Sequence, residues 1–124
     1  MSMVHLGSTS KQRLSTIKPE LQKVCLKAFE TVPFDVTILE GIRTKERQKQ
    51  LVAEGRSQTM NSRHLTGDAV DIAPYPIDWK DVARFKTLSE HMKAASKELN
   101  IPIEWGGDWK SLVDCPHYQL SWGK

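Results

Sequence analysis

The stretch SRHLTGDAVDIAPY, from Ser62 to Tyr75, places a histidine and an aspartate on either side of a glycine turn. If residues 69–73 form a strand, their two β-branched side chains point to one face and Asp71 points to the other, between two alanines. The aliphatic face is expected to pack into a core, whereas the alanines leave open space around the carboxylate. Gly67 allows the chain to fold back, so that His64 can approach Asp71. The stretch therefore predicts a strand of the sheet and half of a metal site.

A second stretch near the C-terminus, DCPHYQLSW, has a similar arrangement. As a strand it places His117 and Gln119 on one face, and Asp114 lies three positions before His117, across a proline that extends the chain. Two such strands side by side would bring His64, Asp71 and His117 together. Two imidazoles and one carboxylate suit Zn²⁺, with the fourth position open to water, as in catalytic zinc sites. Asp114 would then be the spare carboxylate beside that water.

The remaining sequence predicts an α+β domain with a small central, mostly antiparallel sheet and flanking helices. Apolar residues at helical spacing predict helices in KPELQKVCLKAFETV and WKDVARFKTLSEHMKAASKELN. A short polar helix is predicted in RTKERQKQLVAEG, with Thr44 as N-cap and Gly55 as C-cap. Strands are predicted in FDVTILEG, AVDIA, IPIEW and PHYQLSW. The apolar stripe of the longest helix is expected to consist of Val82, Phe85, Leu88, Met92, Ala95 and Leu99.

Composition indicates a single globular domain that covers residues 1–124. Of the 124 residues, 39% are apolar and 27% are charged, as in ordinary folded domains. No apolar run approaches the roughly 20 residues of a membrane span, so membrane insertion is not expected. The net charge of +3 is a mild bias, and no basic block indicates nucleic-acid binding. The two cysteines are too few for a disulfide framework and are expected to be reduced thiols.

At these motifs the chain resembles the LAS zinc peptidases, which include D-Ala-D-Ala carboxypeptidases and phage endolysins. SRHLTGDAVD matches their pattern S-x-H-x-x-G-x-A-x-D, and DCPHYQL resembles their second signature. GIRT and EWGGDWKS resemble the endolysin branch, so that the likeness runs over residues 36–122. The resemblance implies a LAS/hedgehog-like peptidase fold with one zinc ion. It also implies hydrolysis of the L-alanyl-D-glutamate bond in the stem peptides of bacterial peptidoglycan.

The resemblance further implies a role for individual residues of the motifs. The expected zinc ligands are His64, Asp71 and His117. Asp114 is the expected catalytic base, and Arg43 of GIRT is expected near the substrate carbonyl or carboxylate, unless it is a surface arginine. Ser62 is expected to hydrogen-bond to a ligand without touching the metal. The other histidines, His5 and His91, are expected to be ordinary surface or core residues.

Four residues near the motifs have two interpretations each. Trp105 and Trp109 frame two glycines, and either pack in the core or wall a cleft whose glycine floor lets a peptide backbone approach. Glu104 is a weaker second choice for the base, because it could point to solvent at the end of a strand. Cys115 could be a thiolate ligand or a nucleophile, although the proline that follows it disturbs the required geometry.

Three other functions are open on sequence alone. The chain could be a D-Ala-D-Ala carboxypeptidase or dipeptidase, although its shortness and the WGGDW segment favour the endolysin branch. It could be a non-catalytic zinc-containing domain that binds peptidoglycan or a partner, against which the retained Asp114 argues. It could also be a metal-free regulatory or interaction protein.

The expected setting of the enzyme follows from features that the sequence does not display. No signal peptide is visible in MSMVHLGSTSKQR, and no separate cell-wall-binding domain is expected. These observations predict a monomer that is made in the host cytoplasm and acts on the cell wall after its release. The positive net charge would favour its approach to anionic wall material.

Overall fold

The computed structural model describes residues 6–55, 63–109 and 113–121. Within these ranges the helices are α1 (Ser8–Leu14), α2 (Pro19–Phe29), α3 (Lys45–Ala53) and α4 (Val82–Leu99). The strands are β1 (Asp35–Glu40), β2 (Ala69–Tyr75), β3 (Ile103–Trp105) and β4 (His117–Leu120). Short 3-10 helices at Arg63–Leu65 and Gly106–Asp108 precede β2 and follow β3.

The strands form one sheet in the order β1-β2-β4-β3, with every neighbouring pair antiparallel. This confirms the predicted α+β class and its antiparallel sheet. On β2, Asp71 lies opposite His117 of β4. An irregularity in β1 after Ile38 also places Glu40 opposite Asp71. The centre of the sheet therefore collects polar residues from three strands around a single aspartate.

The predicted helices form where the apolar periodicity places them. Helix α2 begins with Pro19 at its first position, and Asn100 ends α4 in the left-handed conformation with φ 59°. The expected stripe of α4 is correct from Phe85 onwards but wrong at Val82, which is 56% exposed. The reason is that Val82 is the first residue of the helix, next to the capping Asp81, and faces solvent.

The core lies on one face of the sheet, beneath α2 and α4. The side chains of Val70, Ile72, Tyr118 and Leu120 are fully buried there. They alternate along β2 and β4 with Asp71 and the other polar residues, as strand geometry requires. Burial of this face therefore presents the polar residues of both strands on the opposite face.

Helix α1 packs against β1 and was not predicted from the sequence. Leu14 is its one buried apolar residue, and a single residue gives no apolar periodicity from which a helix could be predicted. The buried Ser10 hydroxyl accepts a hydrogen bond from the Ile38 backbone at 3.0 Å and fixes α1 on the strand. Within the described ranges, no helix combines the length and the apolar content that crossing a bilayer requires.

Candidate metal centre

The three predicted ligands lie together on the polar face of the sheet. His64 comes from the 3-10 helix before β2, Asp71 from the middle of β2, and His117 from the start of β4. Asp71 Oδ1 lies 3.3 Å from His64 Nε2 and 3.3 Å from His117 Nδ1. One candidate ligand atom from each residue lies within 4.8 Å of the other two. Strand pairing thus brings together residues that are far apart in sequence.

Each imidazole is oriented by a hydrogen bond on its outer nitrogen. His64 Nδ1 lies 2.9 Å from the Gly41 carbonyl oxygen, and His117 Nε2 lies 2.9 Å from Gln119 Oε1. Because these oxygens can only accept, the outer nitrogens carry the protons and donate them. In the neutral rings the inner nitrogens therefore present lone pairs towards Asp71. This donor set fits a zinc ion, and such outer hydrogen bonds are typical of metal-ligating histidines.

The charges within the cluster stabilise one another. Burial disfavours the charged form of Asp71, but hydrogen bonds from His117 and His64 and their positive charges outweigh it, so the pKa of Asp71 lies well below its usual range. Burial likewise lowers the pKa of His117, but its hydrogen bond to Asp71 and the charge of Asp71 raise it more. The pKa of His117 is therefore above its ordinary value. The geometry favours positive charge around one carboxylate, which protons or a divalent cation can supply.

Asp114 lies in the turn before β4, on the side of the cluster. Its backbone N–H donates to the Gly106 carbonyl at 3.0 Å, and its carbonyl accepts from the His117 N–H at 3.1 Å. Burial raises the pKa of Asp114, and the charge of Asp71 raises it further. The positive charges of both histidines and of Arg43 act in the opposite direction. Asp114 is therefore near enough to interact with the charges of the cluster, but it is not one of the three grouped ligands.

The two glycines of WGGD allow close contact with other parts of the same chain, namely Asp114 and Trp105. A β-carbon at Gly106 would overlap the carbonyl of Asp114, and one at Gly107 would overlap the ring of Trp105. The expectation that these glycines form a floor for a substrate backbone is therefore corrected. The backbone that approaches Gly106 belongs to the segment that carries Asp114.

The two tryptophans have different positions. Trp105 is 7% exposed, belongs to the hydrophobic core, and donates from Nε1 to the Cys115 carbonyl at 2.6 Å. The structure thus places Trp105 on the core face and not in the wall of the site. The ring centroid of Trp109 lies 5.2 Å from that of His117, so Trp109 lies against a candidate ligand.

Arg43 is anchored beside the cluster and is not a surface arginine. Its side chain is 9% exposed. It donates to both carboxylate oxygens of Glu40, at 3.0 and 2.6 Å, and to Gln48 Oε1 at 2.6 Å. Its backbone N–H donates to the His64 carbonyl at 2.8 Å. The start of α3 is therefore tied to the loop that carries the first histidine.

The surroundings of Glu104 and Cys115 differ from those expected for a solvent-facing carboxylate and a reactive thiol. Glu104 lies opposite Gln119 on β3, on the polar face, and is partly buried. The expectation that it could point to solvent is wrong, because one of its carboxylate oxygens is buried on the polar face of the sheet. Burial and the charge of Asp114 raise the pKa of the Cys115 thiol, which opposes a reactive thiolate.

Of the remaining histidines and the predicted serine, the structure describes only His91. His91 is partly buried, and its Nδ1 lies 2.6 Å from the hydroxyl of Thr31, in line with an ordinary structural histidine. Ser62 and His5 lie outside the described residues.

Two residues of the site were not assigned a role from the sequence. Gln119 could have been found, because it follows His117 by two positions on the same strand face. The carbonyl of Gly41 has no sequence signal, because any residue carries one.

Comparisons with known proteins agree with this geometry. Residues 1–119 match the family model described as phage L-alanyl-D-glutamate peptidase. The L-alanyl-D-glutamate peptidase of Escherichia phage T5 is 43% identical over 114 residues, covering 87% of this chain and 83% of that protein. The solved L-Ala D-Glu endopeptidase ChiX of Serratia marcescens has a TM-score of 0.87 and 35% identity, covering 94% of this chain and 90% of that chain. The vancomycin-resistance D,D-pentapeptidase VanY, solved with Zn(II), shares the fold with a TM-score of 0.59 at 18% identity, over 84% of this chain and 72% of that chain.

Proposed function

The chain belongs to the phage L-alanyl-D-glutamate peptidase family, and we propose on that premise that it cleaves the L-alanyl-D-glutamate bond of peptidoglycan with one zinc ion. It is a hydrolytic enzyme, a peptidoglycan endopeptidase of the LAS type, as its motifs predict. The observation that carries the zinc proposal is the convergence of three ligand atoms within 4.8 Å. The proposed zinc ligands are His64, Asp71 and His117.

The residues around the cluster suit a catalytic zinc ion. Three protein ligands leave a fourth position open, which distinguishes catalytic from structural zinc sites. When bound there, zinc would lower the pKa of a coordinated water from about 15.7 towards about 7 and polarise the scissile carbonyl. The Gly41 carbonyl and Gln119 would keep both imidazoles in the orientation that this coordination needs.

Two charged residues would act on the substrate directly. Asp114 would take the proton of the attacking water and pass it to the leaving amine of the D-glutamate residue. Its raised pKa favours holding that proton between the two steps. Arg43 uses three N–H groups for Glu40 and Gln48, so that two of its five remain for the negative charge that develops on the carbonyl oxygen.

We propose the same domain extent, oligomeric state and place of action that the sequence predicts. Residues 1–124 would act as one peptidase domain and as a monomer on the cell wall. Trp109, packed against His117, would shield one side of the site from water. Ser62 keeps its proposed role as a hydrogen-bond partner of a ligand.

Metal analysis combined with mass spectrometry of digested peptidoglycan tests the proposal. The variant is Asp114→Asn, and the matched control is Asp108→Asn, which removes an exposed carboxylate paired with Lys93. We expect one zinc per chain in all three proteins and new L-alanine and D-glutamate ends from the wild type and the control. Asp114→Asn should lower kcat by about 10²- to 10⁴-fold.

Three different results would each contradict one part of the proposal. Release of D-alanine would overturn the assigned bond. Undiminished turnover in Asp114→Asn would overturn the assigned base, and an absence of zinc would overturn the metal.

A further inference from the structure

A groove of about 760 Å³ opens at the candidate zinc ligand Asp71 and is lined by residues of α1, the end of β1 and α3. Its wall includes Glu40, Gly41 and Arg47. A peptide whose scissile bond lies at the zinc cluster can therefore reach into this groove. The groove connects the site to two arginines that the mechanism does not use, Arg13 and Arg47.

Arg47 lies in the first turn of α3, and no carboxylate of the described residues forms an ion pair with it. All 15 Asp and Glu residues of the chain lie within the described ranges, and none of them forms an ion pair with Arg47. Its backbone N–H donates to the Thr44 hydroxyl at 3.1 Å, which holds the base of the side chain in place. Its side chain is partly buried.

Two other arginines near the groove are already engaged. The charge of Arg43 is paired with Glu40 through two hydrogen bonds. Arg13 also lines the groove, but it is exposed and donates from Nη1 to the Ile38 carbonyl at 3.0 Å. Among the described residues that line this wall, Arg47 is thus the partly buried arginine that no carboxylate pairs with.

The substrate of the proposed reaction carries a matching charge. Glutamate has two carboxyl groups, and whichever one continues the peptide, the other remains free and negative unless it is amidated. This carboxylate belongs to the residue that supplies the amine of the scissile bond. A guanidinium presents a planar fork of donors that matches a carboxylate and binds it with two hydrogen bonds.

We propose that Arg47 binds the free carboxylate of the D-glutamate residue and makes the enzyme selective for glutamate over its amidated form. The inference rests on the proposed function, because it concerns the residue that follows the scissile bond. It assigns different tasks to two arginines of the same segment. Arg43 acts at the carbonyl oxygen, and Arg47 acts at the carboxylate of the substrate.

Steady-state kinetics on two synthetic muropeptides, one with D-glutamate and one with its free carboxyl converted to an amide, tests this inference. The variants are Arg47→Gln and Arg47→Lys. The control is Lys45→Gln, which removes one positive charge from the exposed side of the same helix turn, outside the groove. Zinc content and melting temperature are measured for each protein.

We expect the wild type and Lys45→Gln to prefer the carboxylate peptide by about tenfold in kcat/KM, as for one charge-assisted hydrogen-bond pair. Arg47→Gln should treat both peptides alike, through a higher KM for the carboxylate peptide and a kcat within about twofold of the wild type. Arg47→Lys should keep part of the preference, because it keeps the charge without the fork.

Two different results would contradict two different claims. An unchanged preference in Arg47→Gln, or a wild type without any preference, overturns the role of Arg47 and leaves the peptidase intact. A folded, zinc-loaded wild type that cleaves neither peptide overturns the proposed function itself.

Discussion

At the scale of single residues, the candidate metal centre depends on two acceptors that are not ligands. The Gly41 carbonyl and Gln119 take the outer protons of His64 and His117. Without them either ring could turn a protonated nitrogen towards Asp71. Loss of such an outer partner typically costs about 10- to 100-fold in metal affinity.

Replacing Gln119 with alanine should weaken zinc binding by about 10- to 100-fold, because His117 loses the partner that orients its ring. Competition with a chromogenic chelator measures the affinity. Gln50→Ala, an exposed change on α3, serves as the control and should leave the affinity unchanged. Equal affinities in the two variants would show that Gln119 does not orient the ring.

Gly106 determines where the proposed base lies, because a β-carbon there would overlap the Asp114 carbonyl. Gly106→Ala should lower the free energy of unfolding by about 1–3 kcal/mol, as overpacking does, and should also reduce kcat. Denaturant titration and turnover measure the two effects, and zinc content should stay constant. Gly7→Ala is the control, because a β-carbon at Gly7 meets nothing within 4 Å. A fully active Gly106→Ala variant would mean that the position of Asp114 is not critical.

At the scale of secondary-structure elements, the site is a product of strand register and of one helix start. The β2–β4 pairing sets Asp71 opposite His117, and a slip by one residue would turn these side chains into the core. Helix α3 begins at the capping Thr44, between Arg43 and Arg47. The cap therefore sets the direction of both arginines relative to the sheet.

Thr44→Ala should lower the free energy of unfolding by about 1 kcal/mol, because the Thr44 hydroxyl accepts a hydrogen bond from the Arg47 backbone at 3.1 Å. Thr44→Ser keeps that oxygen and should stay close to the wild type. Urea denaturation of the three proteins gives the comparison. If serine destabilises as much as alanine, the methyl group and not the cap carries the effect.

At the scale of the whole molecule, the charges of the cluster couple its metal content to the stability of the fold. The three candidate ligands come from segments that only the folded chain brings together, so zinc that binds the native state stabilises it. In the absence of metal, a proton on His117 supplies positive charge beside Asp71. Protons and zinc therefore compete for the same nitrogen.

The stability gained from zinc should be larger at about pH 7.5 than at about pH 5.5. The raised pKa of His117 contributes stability to the metal-free protein below its ordinary value of about 6.5, and this is lost as pH rises through the raised pKa. The lowered pKa of Asp71 contributes above about 3.9 and is lost as pH falls through the lowered pKa. The cluster thus stabilises the metal-free protein most between about pH 4 and 6.5.

Melting temperatures with and without zinc at both pH values measure this difference. Asp71→Asn is the control and should lose most of the zinc effect at either pH. A zinc-induced shift that is the same or larger at the lower pH would contradict competition between protons and zinc.

Much of the fold was predictable because its signals are local. Apolar periodicity marks α2 and α4, and alternation in the sequence marks β2 and β4. Helix α1 escaped prediction because its stability comes from packing on β1. The roles of Trp105 and the glycines beside it could not be predicted, because they depend on which distant segment packs against them.

The sequence by itself determined the donor set, since residue type and strand alternation decide that Asp71 and His117 point away from the core. The tertiary structure alone decided which nitrogen of each histidine faces inward and that Glu40 pairs with Arg43. Those properties depend on single atoms of residues far along the chain, such as the Gly41 carbonyl that meets His64. A linear pattern specifies the face on which a side chain lies, but only the packed chain supplies the partner that sets its protonation and its charge.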